Sequence, residues 1–175
     1  MGLKRSRGYD CRSIRRKKAE VGDIEIVAVP KMGRARGAGL FADTEFVYVN
    51  LLDELMQKLL NLSQAIVPGD RTKDGRKAPF SERYYKFRYD GYQFDLFVVL
   101  PPAEWGIIFV IRTGPAMYSK WLVTEALYKG MQVVDGQLWR IVNGQKLSII
   151  SCPEEKSFFR ALDILYEEPE KRIAR

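Results

Sequence analysis

The sequence predicts an α+β protein: a mixed β-sheet with flanking helices in a larger first portion, then a small second portion, again α+β, beyond a soft boundary near Thr113. Three observations predict it. Period-2 and helical-period hydrophobic runs both occur along the chain. The turn dipeptides Asp90-Gly91, Asp135-Gly136 and Asn143-Gly144 separate short apolar runs, which is the pattern of hairpins. A chain of 175 residues, 46% of them hydrophobic, makes one domain or a compact pair sharing a core and needs no covalent staples.

In chain order, Gly22 to Pro30 alternates as a strand, with Asp23, Glu25 and Val27 on one face and Ile24, Ile26 and Ala28 on the other. Lys31 to Asp43, rich in Gly and Arg, reads as a loop. Leu51 to Val67 carries leucines at helical spacing and stops at Pro68-Gly69, which predicts a helix. A polar loop from Arg71 to Lys77 follows. Tyr84–Tyr89 and Tyr92–Leu100 form a hairpin in which Gln93, Asp95 and Phe97 share a face. Pro102 to Ile111 fits either a short helix or a buried strand. Pro115 to Lys129 is a helix with proline near its start and Gly130 past its end. Three short apolar segments then make a meander. Ser151-Cys152-Pro153-Glu154 has capping-box spacing before a last helix to about Leu162, and the tail from Tyr166 is charged.

Composition excludes several chemistries. There is no His, so histidine triads, two-His zinc motifs and a histidine base are impossible, and catalysis would run on carboxylates, Lys, Tyr or metal. Cys11 and Cys152, far apart in sequence, fit two thiols of a reducing cytosol rather than a disulfide or zinc framework. No signal-peptide pattern or membrane-length apolar run is visible, which leads to the expectation of a soluble, cytoplasmic protein with no membrane partner. The net charge of +7 is concentrated at one end: residues 1–37 hold 11 basic and 4 acidic residues, and the remainder balances at 18 and 18. Arg12, Arg15, Arg16, Lys17 and Lys18 form one cluster and Lys31, Arg34 and Arg36 a second; such clusters attract polyanions or form a solvated tail.

Asp23 and Glu25 at i and i+2 of a strand project side by side, and Asp95 on another strand completes a set of three. Three adjacent carboxylates repel unless hard divalent cations sit among them, the ligand set of two-metal phosphoryl transfer. A solvated acidic strand face gives the same spacing. Ser13, Arg16 and Gly22 add a neutral donor, a bidentate cation and an unencumbered backbone, the groups a triphosphate requires.

Cys11-Arg12-Ser13-Ile14-Arg15-Arg16 followed by Val21-Gly22-Asp23-Ile24-Glu25-Ile26-Val27 resembles the nucleotidyltransferase signature of the family X DNA polymerases, the polymerase-beta type. The resemblance continues through Phe94-Asp95-Leu96-Phe97, Arg112-Thr113-Gly114-Pro115, the Glu125 to Gly130 helix end, and Pro153-Glu154-Glu155 to Glu168-Pro169. It implies a nucleotidyltransferase palm over residues 1–112 and a thumb over 113–175. It implies that Asp23, Glu25 and Asp95 are metal-binding and catalytic, with Asp95 nearest the primer 3′-hydroxyl. Ser13, Arg16, Gly22, Gly114 and Ser119 would contact the nucleotide, Lys120 the nascent pair and template, and Ile111 and Arg112 the sugar. The cofactors implied are two Mg²⁺ ions, with Mn²⁺ able to substitute; the partners are a DNA primer-template or gapped DNA and deoxynucleoside triphosphates. The resemblance also implies a cis Gly114–Pro115 bond.

Arg12 stands where the family has glycine, and the family's first palm helix and strand, with its amino-terminal lyase and helix-hairpin-helix modules, are expected to be missing ahead of Arg12. Arg83, Lys86 and Arg88 alternate with Tyr84, Tyr85, Phe87 and Tyr89, which fits a nucleic-acid groove or a half-exposed strand. Trp105, Trp121 and Trp139 read as core. Three functions remain open on this reading: a minimal repair polymerase filling short gaps, a same-fold nucleotidyltransferase acting on RNA or a small acceptor, and a catalytically impaired nucleic-acid-binding remnant.

Overall fold

The computed structural model describes residues 7–11, 13–36, 46–62, 66–69 and 80–175. The strands are β1 (Arg7–Cys11), β2 (Ile24–Val29), β3 (Met32–Arg36), β4 (Phe46–Asn50), β5 (Ile66–Pro68), β6 (Phe80–Ser81), β7 (Tyr84–Tyr89), β8 (Tyr92–Val98), β9 (Met131–Val134), β10 (Gln137–Val142) and β11 (Gln145–Ile150). The helices are α1 (Leu51–Leu62), α2 (Trp105–Thr113), α3 (Ala116–Tyr128) and α4 (Glu155–Ala161). The fold is mixed α+β, as expected.

The main sheet runs β1-β2-β8-β7-β5, with β6 on the edge of β7; β2 and β8 are parallel and the other pairings antiparallel. Its pleat sorts the side chains. Ile26, Leu96, Val98, Tyr85 and Phe87 face one way and pack with Met56 and Leu52 of α1. Val27, Phe97 and Val99 face the other way and pack with Trp105 and Phe109 of α2. A second sheet, β11-β10-β9, packs with α2, α3 and α4 around Ile107, Val110, Leu122, Leu138 and Phe158, all fully buried. Helix α2 therefore lies in two cores, its Trp105 and Phe109 side on the main sheet and its Ile107 and Val110 side in the C-terminal core.

The three expected hairpin turns share one conformation: Asp90 and Gly91, Asp135 and Gly136, Asn143 and Gly144 all have φ between 48° and 78°. Two successive positive φ angles define the type I′ turn, which matches strand twist and favours Asn or Asp followed by Gly. Helix α1 is capped by Asn50, whose Oδ1 accepts from the amides of Leu52 (3.0 Å) and Asp53 (3.2 Å).

Several expectations are corrected. The Lys31–Asp43 loop contributes a strand, since β3 pairs with β4; positions 37–45 lie outside the described residues. The α1 helix ends at Leu62 rather than Val67, because Ile66 and Val67 instead pair with Tyr89 and Arg88 at the sheet edge. Residues 105–113 are a helix, settling the helix-or-strand alternative. Ser151 does not cap α4; its hydroxyl donates to Glu104 Oε1 (2.9 Å), and Glu104 Oε2 accepts from the Cys152 amide (2.8 Å). The Gly114–Pro115 bond is trans: among the described residues the cis bond is Pro101–Pro102. Gly114 is extended, at φ −74° and ψ 164°, and its amide bonds Val110 O at 3.3 Å, so the elbow closes without the rarer isomer. Ahead of β2 in the chain, strand β1 pairs with it antiparallel. The Arg71–Lys77 loop lies outside the described residues, as does Arg12.

Candidate metal and nucleotide site

Parallel pairing sets Glu25 directly against Asp95, and Asp23 stands just before β2 on the same face. One oxygen from each of the three carboxylates lies within 4.8 Å of the others. Glu25 is 1% exposed and Asp95 6%, so two of the three charges are withdrawn from water. Hard oxygen donors in this number and proximity form a set that could hold a divalent cation. The alternation read in the sequence brought the cluster together correctly.

Asp95 has neighbours that sequence reasoning did not assign to it. The two-residue turn at Asp90-Gly91 fixes the hairpin register, setting Lys86 opposite Asp95 and Tyr84 opposite Phe97. The Tyr84 hydroxyl donates to Asp95 Oδ1 (3.1 Å), and Lys86 Nζ lies 3.4 Å from the same oxygen. Tyr84 stacks flat on Phe97 at 4.7 Å, and the Arg112 guanidinium lies over that ring at 3.8 Å. Burial first, then the charge of Asp95, pushes the Tyr84 hydroxyl well above its ordinary pKa, keeping it a donor; Arg112 pulls the other way. The signal for Lys86 and Tyr84 was the turn itself, because a two-residue loop determines every cross-strand pair behind it.

Ser13 and Arg16 sit, half-buried, in a turn over 13–17, with the Lys18 amide bonded to Ser13 O at 3.0 Å. Because Cys11 pairs with Glu25, the connection from β1 to β2 emerges at the carboxylate end of the sheet, carrying Ser13, Arg16 and Gly22 with it. At Gly22 an added Cβ would meet nothing within 4 Å, so this backbone is open to approach.

The turn is tied down through Arg15. Its NH1 donates to Thr113 Oγ1 (2.9 Å) and Glu155 Oε1 (2.7 Å), its NH2 bonds Glu155 Oε2, and its guanidinium covers the Phe109 ring at 4.3 Å. Glu155 also accepts from Arg172 NH1 (3.0 Å), which is fully buried, and from the Tyr166 hydroxyl (3.4 Å). Burial alone would raise the Glu155 pKa, but its bonds to Arg15 and the charges of Arg172 and Arg15 outweigh it and hold the carboxyl below the ordinary range. Arg15 and Glu155 are 140 residues apart, and no local pattern marks them as partners.

The remaining expected residues are dispersed. Gly114 forms the tight elbow between α2 and α3, where an added Cβ would press within 2.8 Å of Tyr118. Ser119 is buried and its hydroxyl donates to Ile111 O (2.7 Å), so it braces that elbow, whereas Lys120 beside it is exposed. Arg83 and Arg88 stand at opposite ends of β7, Arg83 over Leu100 O and Pro101 O and Arg88 at Gly91 O beside the hairpin tip. Arg83 and Arg112 flank a cleft of about 500 Å³ with Phe97 and Ile108. Of the three tryptophans expected in the core, Trp105 is buried and Trp121 packs half-buried against the C-terminal core, whereas Trp139 is half-buried outside the core clusters with Lys146 over its ring.

No helix among the described residues is long and apolar enough to cross a membrane. Residues 109–173 match the family model of the DNA polymerase beta thumb, so this stretch is similar to that thumb and points to a DNA polymerase-related function. No curated protein matches the chain.

Proposed function

We propose that the chain is a DNA-directed nucleotidyltransferase that adds deoxynucleotides to a primer 3′-hydroxyl with two Mg²⁺ ions, filling short gaps in repair. The observation that carries this reading is the occurrence, in one chain, of a three-carboxylate cluster and a polymerase-beta-type thumb. Asp23, Glu25 and Asp95 would hold the ions. When bound, divalent cations would lower the pKa of the attacking hydroxyl and neutralise charge on the triphosphate.

The rest of the reading concerns the chain's own side chains. Asp95, held at Oδ1 by Tyr84 with Lys86 beside it, would orient the primer 3′-hydroxyl and accept its proton. The new bond joins that oxygen to the α-phosphorus, the α–β bridging bond breaks, and pyrophosphate leaves. Ser13, Arg16 and the open backbone at Gly22 would grip the triphosphate from the turn that Arg15 anchors to Glu155. Lys120, exposed on α3, would meet the DNA phosphates or bases.

The test is primer extension on gapped DNA with Mg²⁺, comparing the natural chain with Asp95→Ala. Asp95-dependent incorporation supports the reading. Absence of incorporation by the natural chain refutes it, and DNA binding retained in that case identifies a binding remnant. Extension of RNA with ribonucleotides in place of gapped DNA would reassign the acceptor.

A further inference from the structure

Lys86, Asp95 and Glu25 are successive cross-strand partners on β7, β8 and β2, so they form one row on the same face of the sheet. Side chains in such a row are direct neighbours. The Lys86 side chain is 19% exposed and that of Asp95 9%, so the ion pair at 3.4 Å is shielded from water, where charges act on one another more strongly than at the surface. The root of Lys86 is seated: its carbonyl accepts from the Gly69 amide (3.0 Å), and a Cβ at Gly69 would come within 2.8 Å of Lys86 Cγ. A side chain at that position would displace the lysine stem.

We infer that Lys86 is a built-in counter-ion that competes with a divalent cation for Asp95, so that the cation position at Asp95 fills readily only when an anionic substrate brings compensating charge. This deepens the metal-site reading and rests on it. The physical case is one of charge number and reach. An ammonium neutralises one carboxylate but, as a compact monovalent charge, cannot bridge three as a divalent ion does. It also repels a dication arriving at the same oxygen. A triphosphate entering beside the turn over 13–17 adds negative charge, favouring the dication and offering Lys86 another anion. The four-carbon stem allows the head to move while the root stays seated on Gly69.

The experiment is direct Mn²⁺ binding to the full chain, counting free ion by electron paramagnetic resonance, with and without inorganic tripolyphosphate. The variants are Lys86→Met, Lys86→Arg, Tyr84→Phe and Asp95→Asn, with cooperative thermal unfolding checked for each. In the absence of tripolyphosphate, Lys86→Met should bind the weaker Mn²⁺ at least about tenfold more tightly than the natural chain. Lys86→Arg should behave like the natural chain, because it keeps the charge. Tyr84→Phe, which removes a neutral donor, should not tighten binding. Tripolyphosphate should shrink the difference between Lys86→Met and the natural chain. Superimposable isotherms for those two proteins, or weaker binding by Lys86→Met, would overturn the inference and leave Asp95 as a metal ligand. Unchanged Mn²⁺ binding by Asp95→Asn would overturn the metal site itself and this inference with it.

Discussion

The two ends of the molecule bury charge in opposite ways. In the C-terminal core Glu155 is enclosed with Arg15 and Arg172, both of its oxygens meet a guanidinium, and Leu122, Leu138, Phe158 and Leu162 of that core have no exposed surface. On the main sheet Glu25 and Asp95 are equally buried but face each other and Asp23 across less than 5 Å, with an ammonium at the side. One arrangement satisfies its charges internally and gains rigidity. The other keeps like charges together, a set that could hold a divalent cation.

That contrast predicts that sheet substitutions change chemistry and core substitutions change stability. The largest effect is expected for Asp95→Ala, which should lower nucleotide incorporation at least about a thousandfold while leaving a single cooperative melting transition; a matching collapse of the fold would erase the distinction. In the opposite core, Phe158→Ala should cost about 3–5 kcal/mol in urea unfolding, with Mn²⁺ binding intact in the fraction that folds. Next is Glu155→Ala, which strands a fully buried Arg172 and should cost about 3 kcal/mol.

Glu155 also carries a pH signature. Its folded pKa is depressed, so its contribution is present above the unfolded carboxylate value, about 4.3, and is lost as pH falls through the lower folded value. Urea midpoints of the natural chain should therefore fall below about pH 4.3, and Glu155→Gln should flatten part of that slope. For DNA, Lys120→Ala should weaken binding evenly across sequences and reduce the salt slope by about 1. The smallest effect sharpens the comparison most. Asp23→Asn should stabilise the cation-free protein by up to about 1 kcal/mol by relieving repulsion, and saturating Mn²⁺ should reverse the sign.

Legibility in the sequence follows the range of the interaction. The three type I′ turns, the alternation that gathers Asp23, Glu25 and Asp95, and the α3 helix depend on neighbours within a few residues, and all could be read. Ile66 and Val67 continue a helical pattern yet join a strand, because Tyr89 and Arg88 offer a sheet edge that no local window contains. Ser151 has capping-box spacing, but a carboxylate 47 residues away takes its hydroxyl. The Arg15–Glu155 pair was beyond reach for the same reason. Lys86 differs from these, since its register was implicit in the Asp90-Gly91 turn and needed only to be counted out.

The double membership of α2 determines where the chain can be divided. The thumb match begins at residue 109, halfway along that helix. Gly106 of the same helix bonds Cys152 O through its amide (3.1 Å) and sits against the Cys152 and Glu154 carbonyls, and Glu104 holds both Ser151 and the Cys152 amide. A polypeptide starting at 109 would lack those anchors and half the turns of its first helix. A C-terminal fragment that keeps these bonds must start upstream of Glu104, in the turn after Leu100. It would then carry the Trp105 and Phe109 rings uncovered, a hydrophobic stump marking where the sheet had been.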